Sequence, residues 1–355
     1  MTRIDKLRGK LETGFSAVLV EHAANRRYLS EFSSSAGSLI ITEDDALFIV
    51  DFRYIEAAGR AVRGARVALQ EAKPDEQIHE WLKSKKAGRL LIEDEMTLSR
   101  FRALEAALPG VTLVSDGKLS KAILGLRSVK ETREIDAVKA AQAITDEAFS
   151  NICGYIKPGV TEKEIAAELE YGMRKLKSEG FAFDTIVVSG PNSSMPHGVP
   201  SDREVRPGDF VTMDYGAKKD GYCSDMTRTV AVGHATDEMR KVYGTVLEAH
   251  MAARRAARAG MTGRELDGVA RDIIYAAGYE GFFGHGLGHS LGLEIHESPR
   301  ASPLFDHVLV ENAILTIEPG IYLPGKFGVR IENMIVLGGD SNENLTGSTT
   351  ELIVL

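Results

Sequence analysis

Residues 209–233 read DFVTMDYGAKKDGYCSDMTRTVAVG. Two β-rich runs flank Lys219-Asp220-Gly221, a turn signal, so the stretch reads as an antiparallel hairpin. Pairing about the midpoint of Lys219 and Asp220 sets Asp214 opposite Asp225 on one face, with Cβ atoms about 5 Å apart. A bulge at Gly221 would shift this register by one residue. Residues 314–337, ILTIEPGIYLPGKFGVRIENMIVL, repeat the pattern about Gly325 and set Glu318 opposite Glu332. Like charges facing each other destabilise a sheet, and burial makes them costlier unless they are compensated. A single acidic residue in a strand is ordinarily a solvated one. Here Val211, Met213, Ile317, Val329 and Ile331 mark both hairpins as buried, and two such pairs in one chain call for cations.

Hard oxygen ligands supplemented by one or two imidazoles suit Mn, Co, Fe or Zn. Four carboxylates and a neutral imidazole carry a charge of about −4, matching two divalent ions and hence a two-metal hydrolytic site. The stretch FGHGLGHSLGLEIHES, residues 283–298, holds His285, His289 and His296 of the chain's 9 histidines. No Glu follows the first His as an HExxH zinc helix requires. His285 and His289 have i, i+4 spacing, but Gly284, Gly286, Gly288 and Gly292 make a helix a poor host for them. An extended or turning backbone is expected there instead. The second half of a GxGxxG dinucleotide fingerprint is absent.

A chain of 355 residues fits two domains. Its 43% hydrophobic and 26% charged content is globular, and a net charge of -8 argues against nucleic acid as a partner. Cys153 and Cys223, far apart and in no CxxC pattern, exclude a disulfide framework and fit a reducing cytoplasm. Cys223 shares a strand with Asp225 and reads as a small buried thiol. The N-terminal MTRIDKLRGKLETG has no signal-peptide core, and no run of about 18 apolar residues marks a membrane span. A soluble cytoplasmic protein is expected.

In the first third, FSAVLVEH, SLIITEDDALFIVDF, ARVALQEA and GRLLIEDE read as strands, alternating with helical IEAAGRAV, DEQIHEWLKSKKA and LSRFRALEAAL. That alternation implies a small α/β domain. A charged bridge, DGKLSKAILGLRSVKETREID, follows, and the boundary is placed near residue 125. Beyond it, SVKE (128–131), TEKE (161–164) and TGRE (262–265) match the capping box. They open helices expected over 129–155, 162–179 and 263–277, with a fourth over 237–260. Helices grouped with hairpins imply an α+β domain on antiparallel sheet. The helix–helix–hairpin order recurs, a hint of internal duplication.

MDYGA, SDMTRT, HGLGHSLGLEIHE, TIEPGIY and VRIEN, in this order and spacing, resemble the M24 metallopeptidases of the pita-bread fold. This family includes prolidases, aminopeptidases P and methionine aminopeptidases. NRRYLSEFSSSAG and FIVDFRYIEAA resemble the creatinase-type N-terminal domain of the first two. The resemblance implies a creatinase/prolidase-type domain over 1–125 and a pita-bread α+β catalytic domain over 126–355. Five metal ligands are implied: Asp214 on one ion, Asp225 and Glu332 bridging both, His289 and Glu318 completing the second. A hydroxide between the ions would attack the peptide carbonyl, with Glu318 accepting the proton of that water. The resemblance also implies that His296 stabilises the tetrahedral intermediate and that His197, in PNSSMPHG, positions substrate or shuttles a proton. Arg330 would brace a carboxylate ligand. His285 is assigned to the substrate side or to such a brace, and Arg300, in HESPRAS, is a candidate contact to the C-terminal end of the substrate. His22, His79, His234, His250 and His307 match nothing.

Within the family, the N-terminal domain disfavours a methionine aminopeptidase. The presence of all five ligands disfavours creatinase or a non-catalytic binding protein. Cleavage before proline faces a tertiary amide with restricted geometry. The short first domain looks like that of microbial prolidases, so the expected activity is Xaa-Pro dipeptidase, with Xaa-Pro aminopeptidase as the alternative. Expected partners are a proline-containing di- or oligopeptide, divalent metal (Mn, Co, Zn or Fe) and, by family resemblance, a second copy in a homodimer.

Overall fold

The computed structural model describes residues 1–11 and 15–355. The chain divides into two compact units, Met1–Arg127 and Ser128–Leu355. In the first, strands Arg66–Leu69, Ala46–Val50, Ser38–Ile41, Ala17–Val20, Arg89–Ile92 and Thr112–Val114 form one six-stranded mixed sheet in that spatial order. Helices Pro74–Ser84 and Leu98–Ala107 cover it, burying Ile78, Trp81, Leu82 and Leu104 against Leu19, Ile40 and Leu90. The α/β alternation read from sequence is present. It missed helix Ala23–Ser30, AANRRYLS, which buries Asn25, Arg26 and Ser30 beside Tyr28 and Leu29: Asn25 donates to Glu93 Oε1 at 2.7 Å and accepts from Arg127 at 2.7 Å. A helix that buries amides and guanidinium groups leaves no apolar periodicity to read.

The bridge is not a linker. Residues Lys118–Ser128 form a helix that buries Leu119 and Ile123. The expected cap at Ser128 is therefore wrong: Ser128 closes that helix, and its Oγ donates to Ser298 O at 3.0 Å. The next helix, Thr132–Ile152, is capped by Glu131, whose N–H donates to Glu134 Oε2 at 2.9 Å. The other two capping boxes form as expected, with Thr161 and Thr262 at the N-caps of Glu162–Lys175 and Gly263–Ala276.

In the second unit a helix pair followed by antiparallel strands occurs twice. Helices Thr132–Ile152 and Glu162–Lys175 precede strands Ile186–Ser189, Phe210–Tyr215 and Met226–Ala231. Helices Asp237–Ala256 and Gly263–Ala276 precede Ile314–Ile317 and Asn333–Leu337. Val242, Val246, Ala249 and Ala253 make one helical stripe facing Leu315, Ile317 and Ile335, while Phe149, Ile165 and Leu169 face Val187, Val211 and Met213.

The first hairpin departs from its expected register. Asp214 pairs with Thr227 and Lys219 with Tyr222, so the turn is Asp220-Gly221. Both turn residues have positive φ, 49° and 75°, the geometry of a two-residue hairpin turn favouring Asp-Gly. The partner strand is thus displaced by two residues. Because side chains alternate with period two, Asp214 and Asp225 keep a common face as diagonal neighbours. The second hairpin has its expected register, Ile317 with Asn333 and Gly320 with Arg330 about Gly325. Asp225, Glu318 and Glu332 all fall where regular pairing is interrupted. There the segments cross-connect: Glu332 N donates to Thr227 O at 3.2 Å and Glu318 N to Leu287 O at 2.8 Å.

The backbones also approach closely at Gly288, where an added Cβ would lie 2.0 Å from Thr316 O. Neither partner is a flexible side chain, so Gly288→Ala should displace the short strand Gly288–Ser290, which carries His289. A loss of about 1–3 kcal/mol in urea unfolding is expected, together with weakened uptake of divalent metal in calorimetry. Unchanged values for both would contradict the packing at this contact.

Candidate metal centre

Carboxylate oxygens of Asp214, Asp225 and Glu332 lie within 4.8 Å of one another. His289 approaches from the glycine-rich segment, its Nε2 3.6 Å from Asp225 Oδ2 and 3.4 Å from Glu318 Oε1. Its Nδ1 lies 3.1 Å from Ser290 O. A carbonyl can only accept, so Nδ1 carries the proton and Nε2 presents a lone pair to the carboxylates. The histidine-bearing backbone is a short strand, Gly288–Ser290, and not a helix.

Burial first, then Glu332 and Asp214, pushes the Asp225 carboxyl well above its usual range. Burial, then Glu318 and Asp214, does the same to Glu332. Glu318 is pushed up to about 8, chiefly by burial. The reverse holds for His289, which burial and then His296 lower to about 4, so its ring is neutral. Asp214 Oδ1 and Glu332 Oε1 are buried and have no hydrogen-bond partner among the described residues. Converging carboxylates with unpartnered oxygens and one neutral imidazole fit hard or borderline divalent cations, as the residue types implied.

One cation is already present. Arg330 donates to Asp214 Oδ2 at 2.6 Å, to Thr227 Oγ1 at 2.9 Å and to Tyr322 Oη at 2.8 Å. The Tyr322 hydroxyl accepts from Arg330 and so donates onward to His285 Nε2 at 2.9 Å, while His285 Nδ1 donates to Gly286 O at 2.8 Å. Both ring nitrogens of His285 are therefore engaged, and burial lowers its pKa to about 4. The structure places it in a brace running Asp214–Arg330–Tyr322–His285.

A cleft of about 720 Å³ opens onto the carboxylates, and every residue assigned a metal, catalytic or substrate role from the sequence lines it. His296 stacks edge-to-face on His289 with ring centroids 4.5 Å apart. Its pKa is lowered by burial, then by Arg300 and His197. Arg300 lies across the strand pair from His289, and His197 and Arg300 are both solvent-exposed.

Sequence reasoning missed several supporting residues. Thr227 donates to Glu332 Oε2 at 2.7 Å, and Thr316 donates to Glu318 Oε1 at 3.0 Å. Each stands two residues along the chain from an acidic position at its strand's end, Asp225 or Glu318, so pleat periodicity was the available signal. Arg228 is fully buried and donates to the backbone oxygens of Glu332 and Thr227. His250, read as bland, is buried and donates from Nδ1 to Ile317 O at 3.0 Å, directly behind Glu318. Cys223 is buried with its Sγ 3.9 Å from Leu293 O.

The raised carboxyls predict a pH dependence. Glu318 moves from an ordinary 4.5 to about 8 on folding without metal, so the folded chain holds a proton that the unfolded chain releases. That stabilisation is complete below the unfolded value and is lost as pH rises through about 8. The Tm of chelator-treated protein should fall across this window; an added divalent metal should raise it most at the alkaline end and release protons on binding below about pH 8. Thermal scans with and without EDTA check this, and a pH-independent Tm in chelator would refute it.

Comparison with known proteins fits this geometry. The family model for metallopeptidase family M24 matches residues 136–338, and that for the creatinase/prolidase N-terminal domain matches residues 3–129. The Xaa-Pro dipeptidase of Pyrococcus furiosus is 37% identical, over 96% of each chain. Among solved structures, an Xaa-Pro dipeptidase from Bacillus anthracis superposes with a TM-score of 0.95 at 40% identity, covering 99% of both chains. An X-Pro aminopeptidase from Thermotoga maritima does so at 0.91, also 40% identical, covering 100% of both. The chain belongs to metallopeptidase family M24, with a creatinase/prolidase-type N-terminal domain ahead of its catalytic domain.

Proposed function

We propose that this protein is a metal-dependent, proline-specific peptidase, an Xaa-Pro dipeptidase that hydrolyses the bond before proline. The observation that carries the dipeptidase reading is Arg300. It is an exposed cation on the cleft wall, paired with no carboxylate among the described residues, on the strand opposite His289. A dipeptide ends in a carboxylate just beyond the scissile bond, and a guanidinium recognises that group well.

Asp214, Asp225, His289, Glu318 and Glu332 would hold the metal. Two divalent ions of the Mn, Co, Zn or Fe class match the charge of four carboxylates and a neutral imidazole. When bound, the metal supplies charge neutralisation and water activation at neutral pH. The chain's own groups do the rest. Glu318 takes a proton from the attacking water and returns it toward the leaving proline nitrogen, which has no N–H of its own. His296, kept neutral, donates to the oxyanion developing on the scissile carbonyl. His197 positions the substrate or relays a proton. Phe183, Ile186 and Ile295 give the cleft apolar walls for the proline ring. The same reading includes a cytoplasmic homodimer; no helix among the described residues is long and apolar enough to cross a membrane.

Xaa-Pro-Yaa cleavage is the second reading, favoured by likeness to the Thermotoga maritima aminopeptidase. Assay of Xaa-Pro beside Xaa-Pro-Yaa with added Mn, Co or Zn decides: faster tripeptide turnover would replace dipeptidase by aminopeptidase. A chain that takes up none of these metals and cleaves neither peptide is a binding protein on this fold.

Two variants test the assigned roles. His296→Ala should keep its metal but lose about 10²–10³ in kcat; loss of metal instead would mean that His296 is a ligand. Arg300→Ala should raise KM for Xaa-Pro by about tenfold and leave KM for the corresponding dipeptide amide unchanged. An equal effect on both would remove Arg300 from carboxylate recognition.

A further inference from the structure

The segment from Gly190 to Ser201 carries Pro196, His197, Val199 and Pro200 into the cleft wall. Its only regular structure is the 3-10 turn Gly190–Ser194, so contacts from elsewhere must set its course. Ser193 Oγ accepts from Gly328 N at 2.9 Å, and Pro196 O accepts from Arg330 at 3.2 Å. Gly198 lies so close to the Ile186–Ser189 strand that an added Cβ would sit 2.6 Å from Val188 Cγ1.

The two ends of the segment meet on one group, the carboxylate of Glu162. This residue is fully buried at the first position of helix Glu162–Lys175. Its Oε1 accepts from Ser189 N at 2.6 Å, Ser189 Oγ at 2.8 Å and Asn192 Nδ2 at 3.1 Å. Its Oε2 accepts from Ser201 N at 3.0 Å and Ser201 Oγ at 2.6 Å. No lysine or arginine pairs with it among the described residues. The guanidinium of Arg203, which shares Ser189 with Glu162, donates to Ser189 Oγ at 2.6 Å and to Asp209 at 2.7 Å. A buried carboxylate held by neutral donors alone needs all of them in place. Moving either end of the segment would leave the charge under-solvated.

We propose that Glu162 is a positioning residue for the reaction, acting through His197 by pinning both ends of the segment that presents it. This rests on the hydrolase reading above. The amide of Glu162→Gln has the same shape but offers only one acceptor oxygen. Its NH₂ must then face either the Ser189 or the Ser201 backbone N–H, and one anchor is lost.

The test uses the full-length, metal-loaded enzyme and the variants Glu162→Gln, His197→Ala and their combination. Glu162→Gln should bind Mn within about threefold of wild type by calorimetry and lose about tenfold or more in kcat/KM on Xaa-Pro. The double variant should lose no more than His197→Ala alone, because the two act as one unit. Backbone hydrogen exchange should quicken over 189–203 and stay unchanged over 209–231 and 314–337. If Glu162→Gln does not fold, Ser201→Ala takes its place; it removes one donor to Oε2 and should give a smaller loss of the same kind. Additive losses in the double variant, or unchanged exchange over 189–203, overturn the proposal. A wild-type enzyme that binds Mn yet leaves both Xaa-Pro and Xaa-Pro-Yaa intact sinks the hydrolase reading instead, and the exchange comparison still tests the clamp.

Discussion

Carboxylates repel one another, and this chain drives four of them into one largely buried corner. Asp225 and Glu332 are almost fully buried, and burial with mutual repulsion holds both carboxyls far above their ordinary range. Among the described residues, the cation that pairs directly with these carboxylates is Arg330, and of the four it engages Asp214 alone. Much of the second unit answers this constraint. Threonines on the same strands donate to individual oxygens, Arg228 ties down the Glu332 backbone, and His250 ties down the backbone before Glu318. These contacts stabilise direction, not charge. The geometry is kept in a form that only an external cation completes, so the cost of the cluster is that of a preorganised site.

The same constraint accounts for the broken strands. Continuous pairing would satisfy the backbone but would hold each hairpin's acids apart from the other's. Interruptions at Asp225, Glu318 and Glu332 let the backbone of one hairpin bond to that of the other, as Glu332 does with Thr227. Glycine at 288 permits the approach of the histidine strand to within contact of Thr316. Packing elsewhere is ordinary: amphipathic helices cover the outside of each sheet and leave the acidic faces turned toward the cleft.

Much of this was legible in the residues themselves. Acidic positions inside β-branched runs announced a cation site before any fold was assigned, and the motif order assigned the fold. The hairpin register at Asp214 was misread because the turn was centred one residue early, on Lys219 and Asp220, when the Asp-Gly pair that tolerates positive φ lay one step on. Pleat parity protected the conclusion from that error. The brace through Tyr322 and His285 was not legible, since it depends on which ring nitrogen meets which oxygen across 37 residues. Helix Ala23–Ser30 escaped for a related reason: it is held by long-range polar bonds, and those leave no local pattern.

The second unit repeats a helix pair and an antiparallel set of strands, and the cleft lies where the two copies meet. The first copy contributes Asp214 and Asp225; the second contributes His289, Glu318 and Glu332. Neither copy alone assembles more than an acidic ridge or a lone imidazole beside two acids. The bonds that join them, from Arg330 to Asp214 and from Arg228 to the Glu332 backbone, cross from one copy to the other. A substitution that alters spacing in one half must therefore be answered in the other. The two halves of this chain are committed to drift together: the centre belongs to neither and is inherited only as a pair.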